Sequence, residues 1–263
     1  MLETTIQHQK WSEKKMNESA IVTDNLVKKF EDTTAIDDLN LQISKGELFG
    51  LLGPNGAGKT TTINILCGLI KPTSGTAKVG GYDVQKETAK VKELIGVCPQ
   101  ETAVYGYLTG EENVDLFGNL HTMNKTTLKT RRAMLLEMMG LTADAKRKAE
   151  KYSGGMKRRL SLILALIHDP EIAFLDEPTV AMDPQSRHAV WDFIKELKKQ
   201  DKTIILTTHY MEEAEELCDR VGIIDHGKLI ALGTPHELIA KNNVKNLEEV
   251  FIALTGRRIR EDA

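Results

Sequence analysis

The sequence predicts an α/β fold with a mainly parallel sheet, and three observations carry that prediction. Short apolar runs alternate with helix-periodic segments over most of the chain. Two of these runs, ELFGLLG and EIAFLDEP, carry unbroken apolar cores instead of alternating, the composition of strands covered on both faces. The first of them empties into a glycine-rich turn that leads straight into helix-forming residues.

In chain order, AIVTDNLVKKF and AIDDLNLQI read as strands, the second with period-two alternation, and ELFGLLG as a buried strand. TTINILCGLI follows as a helix stopped by Lys71-Pro72. After the strand ELIGVCP, the segment from about 101 to 151 changes character. VDLFGNL and RRAMLLEMMG carry helical periodicity with few strand signals, so this stretch reads as a helical insertion, with Thr109 and Glu112 forming a capping box. GGMKRRLSLILALIHDP reads as a helix ending before Pro170, EIAFLDEP as a strand, QSRHAVWDFIKELKKQ as an amphipathic helix and TIILTTH as a strand. YMEEAEELCDR reads as a helix and VGIIDHGKLIALG as a hairpin turning at Asp225-His226-Gly227. From Thr234 the chain is polar and reads as helical.

The chain has 263 residues, a formal net charge of −3, and the apolar and charged fractions of an ordinary globular protein, which excludes disordered and fibrous classes. The charge gives no reason to expect nucleic acid as a partner. Its longest apolar runs fall far short of the roughly 18 to 20 residues that cross a bilayer. The polar start, MLETTIQHQKWSEKK, has no segment of signal-peptide type, so a cytoplasmic location is expected, with Met16 an alternative start. Cys67, Cys98 and Cys218 are odd in number and widely spaced, and they read as reduced, structural residues.

Between the buried strand and its helix stand Gly53, Pro54, Asn55, Gly56, Ala57, Gly58, Lys59, Thr60 and Thr61. The first eight match the P-loop pattern in the strand-to-helix context that its mechanism requires. Glycines let backbone N–H groups converge on phosphate oxygens, and the helix N-terminus adds favourable potential. Lys59 is expected to reach the β- and γ-phosphates of a nucleotide, and the Thr60 hydroxyl to bind Mg²⁺.

Ile172 to Glu177 is an apolar run ending in two acids, the form taken when a buried strand delivers carboxylates to its C-terminal edge. Asp176 is placed to hold Mg²⁺, and Glu177 to act as general base on the attacking water. His209, ending another strand, reads either as a capping residue or as a contact to the γ-phosphate; Gln100, after the strand ELIGVCP, takes its meaning from the other motifs.

Tyr152-Ser153-Gly154-Gly155-Met156 opens a helix shortly before the acidic strand, and here the chain resembles the ATP-binding cassette family. The resemblance runs from about 21 to 232. It implies a P-loop NTPase of RecA-like core, an antiparallel β portion and an inserted helical subdomain. It divides the chain into a polar extension (1–19), an ATPase domain (20–233, with core at 20–100 and 159–233 and helical subdomain at 101–158) and a helical tail (234–263). It also implies a head-to-tail dimer, in which Ser153, Gly154 and Gly155 close on ATP held by a second copy. The remaining roles come from it too: Phe30 under adenine, Gln100 as an Mg²⁺ and coupling residue, Asp183 in the segment after the acidic strand, and His209 as the γ-phosphate switch.

YSGGMKRRL, LTGEENVDLFGNL and LEEVFIALTGR look like the branch serving two-component exporters of drugs, antibiotics and lipid-linked substrates. That branch works with a separate integral-membrane permease, reached through the helical insertion near Gln100 to Leu120, and sits on the cytoplasmic face of the membrane. A soluble cassette ATPase acting on ribosomes or DNA is the competing reading. Tyr152, Met156 and Met182 depart from the residues more common in the family and remove no catalytic group. Glu212, Glu213, Glu215 and Glu216 read as a solvated face. The cluster Lys146, Arg147, Lys148, Lys151, Lys157, Arg158 and Arg159 reads as a solvated face or as an approach to lipid head groups or nucleotide.

Overall fold

The computed structural model describes residues 19–256. The polar extension expected at 1–19 lies almost wholly outside them, as does Met16. Two sheets organise the chain. One is antiparallel, in the order β2-β1-β4-β5, built from β1 (Ser19–Phe30), β2 (Thr33–Ser44), β4 (Ser74–Val79) and β5 (Tyr82–Asp83). The other, in the order β10-β9-β3-β8-β7-β6, contains β3 (Leu48–Leu52), β6 (Ile95–Cys98), β7 (Ile172–Asp176), β8 (Thr203–Thr208), β9 (Arg220–Asp225) and β10 (Lys228–Gly233). β6, β7, β8, β3 and β9 pair in parallel, and only β10 runs antiparallel. β3, β7 and β8 are buried at every residue, which is why their sequences do not alternate.

The helices are α1 (Lys59–Leu66), α2 (Thr88–Leu94), α3 (Gly110–Leu120), α4 (Lys125–Met138), α5 (Gly154–Leu166), α6 (Pro184–Lys199), α7 (Met211–Leu217), α8 (Pro235–Asn242) and α9 (Leu247–Thr255). α3 starts on the capping box read from the sequence: Thr109 Oγ1 accepts from Glu112 N, and Thr109 N donates to Glu112 Oε2. α3 and α4, with the 3₁₀ turns after them, stand between β6 and α5 in the chain and pack on α5 through Val114, Leu128, Leu135 and Leu136. α9 packs against α7 and α8, with Leu247, Val250 and Phe251 fully buried. Cys67, Cys98 and Cys218 are buried and free.

Three expectations are corrected. α1 stops at Leu66, before Lys71-Pro72, because Gly68 takes φ +67° and Leu69 N bonds back to Asn64 O, closing the helix with a left-handed turn. Glu213 leaves the solvated face and is fully buried. Arg158 leaves the solvated cluster and is also buried, while Lys146, Arg147, Lys148 and Lys151 are exposed.

At the junction of α3 and α5 the His121 and His168 rings stack, 3.7 Å apart and parallel within 1°. His168 Nε2 lies 3.0 Å from Ile95 O. Burial, and then the neighbouring His121, push the His168 imidazole down from 6.5 to about 4. The unfolded chain therefore binds a proton between those values that the folded chain refuses, so folding stability falls as pH drops through that window. His168→Gln keeps an N–H for Ile95. In urea unfolding at pH 7 and pH 5 its midpoint should shift less between the two than that of the parent; an equal shift would contradict the assignment.

Candidate functional site

Parallel register places the site. Leu52 pairs with Thr208, Asp176 with Thr207, and Cys98 with Leu175, so the loops that leave β3, β8, β7 and β6 emerge along one sheet edge. Those loops carry Gly53 to Gly58, His209, Glu177 and Gln100 respectively. A cleft of about 240 Å³ opens there, lined by Ala35, Asn55, Gly56, Gly58, Lys59, Thr60, Thr61, Gln100 and Glu177.

Two glycines make the loop possible. A Cβ on Gly53, at φ +156°, would stand 2.2 Å from Ile224 O, and one on Gly58, at φ +108°, 2.4 Å from Ala35 O. The β9–β10 hairpin turns on His226 and Gly227, both at positive φ, and buttresses the loop: Gly227 N donates to Ala57 O at 3.0 Å. Lys59 Nζ donates to Gly53 O (2.8 Å) and Pro54 O (3.1 Å) and lies 3.4 Å from Glu177 Oε1. Burial lowers the ammonium's proton affinity despite the opposing pull of Glu177 and Asp176.

Thr60 Oγ1 donates to Asp176 Oδ2 at 2.9 Å, and Thr207 Oγ1 donates to Asp176 Oδ1. Glu177 is the hub. Its Oε2 accepts from Gln100 Nε2 at 3.4 Å, and its Oε1 lies 3.2 Å from His209 Nδ1, an ion-pair distance without hydrogen-bond alignment. Burial alone would raise its proton affinity, but His209 and Lys59 outweigh burial and hold it below the usual carboxylate range. Lys59, Thr60, Gln100, Asp176, Glu177 and His209 are thereby brought together.

The other expected residues stand apart. Ser153 caps α5 by accepting from Met156 N at 3.2 Å, and Asp183 caps α6 by accepting from Ser186 N at 2.9 Å. Gly155 faces Ser186, so these two helix starts adjoin; Gly154 has open space around it. Ser153, Gly154, Gly155, Asp183 and Phe30 are absent from the residues lining the P-loop cleft. Phe30 is half exposed with Lys28 Nζ 4.6 Å from its ring centre.

Sequence reasoning missed Arg158 and Thr207. Arg158 uses its guanidinium to bind five backbone carbonyls: Pro99, Gln100 (2.9 Å), Asp176, Glu177 (2.9 Å) and Pro178 (3.0 Å). It ties the loop after β6 to the loop after β7. The available signal was spacing: Arg158 precedes buried Ser161 and Leu162 by three and four residues, placing it on the inner face of α5.

With this geometry, the family model for the ABC transporter matches residues 36–180. The chain belongs to the ABC transporter family. It is 48% identical over 218 residues to the linearmycin resistance ATP-binding protein LnrL of Bacillus subtilis (strain 168), covering 83% of this chain and 70% of that one. It is 44% identical over 230 residues to the doxorubicin resistance ATP-binding protein DrrA of Mycobacterium tuberculosis (strain ATCC 25618 / H37Rv), covering 84% and 70%. Against the Nod factor export ATP-binding protein I of Paraburkholderia xenovorans (strain LB400) identity is 41%, covering 90% and 78%. A solved ATP binding subunit of an ABC transporter superposes with TM-score 0.82 at 26% identity, covering 90% of this chain and 99% of that one. The dimeric post-hydrolysis state of the ATP-binding cassette MJ0796, bound to ADP and Pi, gives TM-score 0.74 at 27% identity, covering 81% and 98%. The chain is thus an ATP-binding subunit of an ABC transporter, with the RecA-like core, antiparallel portion and inserted helices expected of it. No helix among the described residues is long and apolar enough to cross a membrane.

Proposed function

We propose that the chain hydrolyses ATP as the motor of an exporter whose membrane path is a separate permease. The observation that carries this is the single carboxylate of Glu177, ringed by Lys59, Gln100 and His209 beside the Thr60–Asp176 pair. Ionised and held at the mouth of the loop, Glu177 orients an attacking water and takes its proton; Lys59 and the loop N–H groups steady the phosphates. His209 holds Glu177 and meets the γ-phosphate.

The oxygens of Thr60 and Asp176, 2.9 Å apart, are the hard donors Mg²⁺ prefers, and Gln100 adds a third polar group. When bound there, the ion would neutralise phosphate charge. Phe30 would lie under adenine.

Ser153, Gly154 and Gly155 stand outside their own cleft, so they serve a second copy, head to tail; that the MJ0796 cassette structure is dimeric supports a second copy. Asp183, beside them, would join the same interface. A mainly apolar groove of about 290 Å³, lined by residues that include Leu69, Val97, Ala103, Phe117, Leu164 and Pro99, the residue before Gln100 in the chain, suits a permease element docked on the cytoplasmic side. Tyr107 and Leu120, on the same inserted segment, are exposed. The resistance and export roles named for the relatives support outward transport.

Purification from native membranes in mild detergent tests the proposal. A stoichiometric integral membrane protein should accompany the chain, and phosphate release per molecule should rise with concentration until dimerisation saturates. Recovery of ribosomal or DNA-associated partners alone would overturn it.

A further inference from the structure

The turn from β7 to α6 is strained. Glu177 and Ala181, neither of them glycine, sit at φ +48° and +56°, a conformation that costs about 1–2 kcal/mol per residue and persists only where surroundings impose it. Between them Thr179 is completely buried, and its hydroxyl donates to Glu213 Oε1 at 2.8 Å. The same oxygen accepts from Trp191 Nε1 of α6 at 2.9 Å. Glu213 is itself fully buried on α7, four residues past His209, and the Thr208 hydroxyl also lies against its carboxyl. Thr208 Oγ1 in turn accepts from Tyr210 N at 3.0 Å, fixing the backbone on either side of His209.

A buried carboxyl with no basic residue in hydrogen-bonding contact is costly, and burial raises its proton affinity. A hydrophobic residue would pack there without that cost. What the carboxyl supplies is a common acceptor for the β7–α6 turn and for α6, held one helical turn from the switch histidine.

We infer that Glu213, through Thr179, is a positioning residue that sets the Glu177 carboxylate and the His209 ring in register with each other. Neither Glu213 nor Thr179 lines the P-loop cleft, so the pair acts on turnover and not on nucleotide affinity. This inference rests on the reading of Glu177 as the general base.

Thr179→Val removes the hydroxyl at nearly constant volume, and Thr179→Ser restores it. Assayed about 10 °C below each variant's own melting midpoint, T179V should lose kcat by roughly ten- to hundredfold, the scale of a misplaced catalytic group. Its KM for ATP should stay within about twofold, and T179S should recover most of the rate. In the E177Q background T179V should cost less than it costs the parent, because one of the two positioned groups is already gone. A folded T179V turning over at the parental rate, or a T179S that recovers none of the loss, would overturn the inference. If E177Q alone hydrolyses normally, the base assignment fails instead, and a slow T179V then reports a register of other groups.

Discussion

Glu177→Gln should lower ATP hydrolysis by roughly 10² to 10⁴, the usual contribution of a general base, while leaving ATP binding within a few-fold of the parent. Glutamine preserves the shape that meets Gln100 and removes the charge that Lys59 and His209 hold in its ionised form. The phosphate-binding part of the cleft, built from Gly53 to Thr61, is untouched. Phosphate release and titration with a fluorescent nucleotide measure the two effects separately. Parental turnover in a folded E177Q would remove Glu177 from the chemistry.

Arg158→Met should cost stability and turnover together. All five N–H groups of this buried guanidinium end on carbonyls, and no carboxylate hydrogen-bonds to it, so its charge is satisfied by backbone dipoles alone. Methionine fills much of the volume and strands those acceptors. With about 1–3 kcal/mol lost for each buried group left without a partner, and part of it relieved by water, the expected loss is about 3–5 kcal/mol. The same carbonyls anchor Gln100 and Glu177, so hydrolysis should also fall in protein that is still folded. Arg158→Lys, with three donors in a different geometry, should recover only part of either loss. Urea unfolding paired with phosphate release checks this; a loss under about 1 kcal/mol would show that the two loops hold themselves.

The features readable in advance were those written in consecutive residues. The P-loop and the IAFLDE strand announce themselves because a buried parallel strand needs an unbroken apolar run, and the residues just past its end must sit at the ligand edge. β4 and β5 were not read, since SGTAKV mixes glycine, lysine and small residues and YD is only two residues long. α2, with Val91 as its one buried residue, left too faint a stripe.

Glu213 and Arg158 were misplaced for one shared reason. Each is a charged residue among other charges in the sequence, yet helical spacing puts Glu213 with Met211, Ala214 and Leu217, and Arg158 with Ser161 and Leu162, on faces that pack inward. Charge counting along the chain averages over faces that the helix separates. The Tyr152–Met156 segment was legible as a motif but not as a contact within one chain, because Ser153 does not line the P-loop cleft of its own chain.

A site shared between two copies resolves that separation, and light scattering from purified E177Q, with and without Mg-ATP, tests it directly. Sharing predicts a species near the 29.3 kDa chain mass without nucleotide and one of about twice that mass with ATP, abolished by substitution of Ser153 with a bulky residue. An E177Q that binds ATP and stays at the single-chain mass would contradict the shared site.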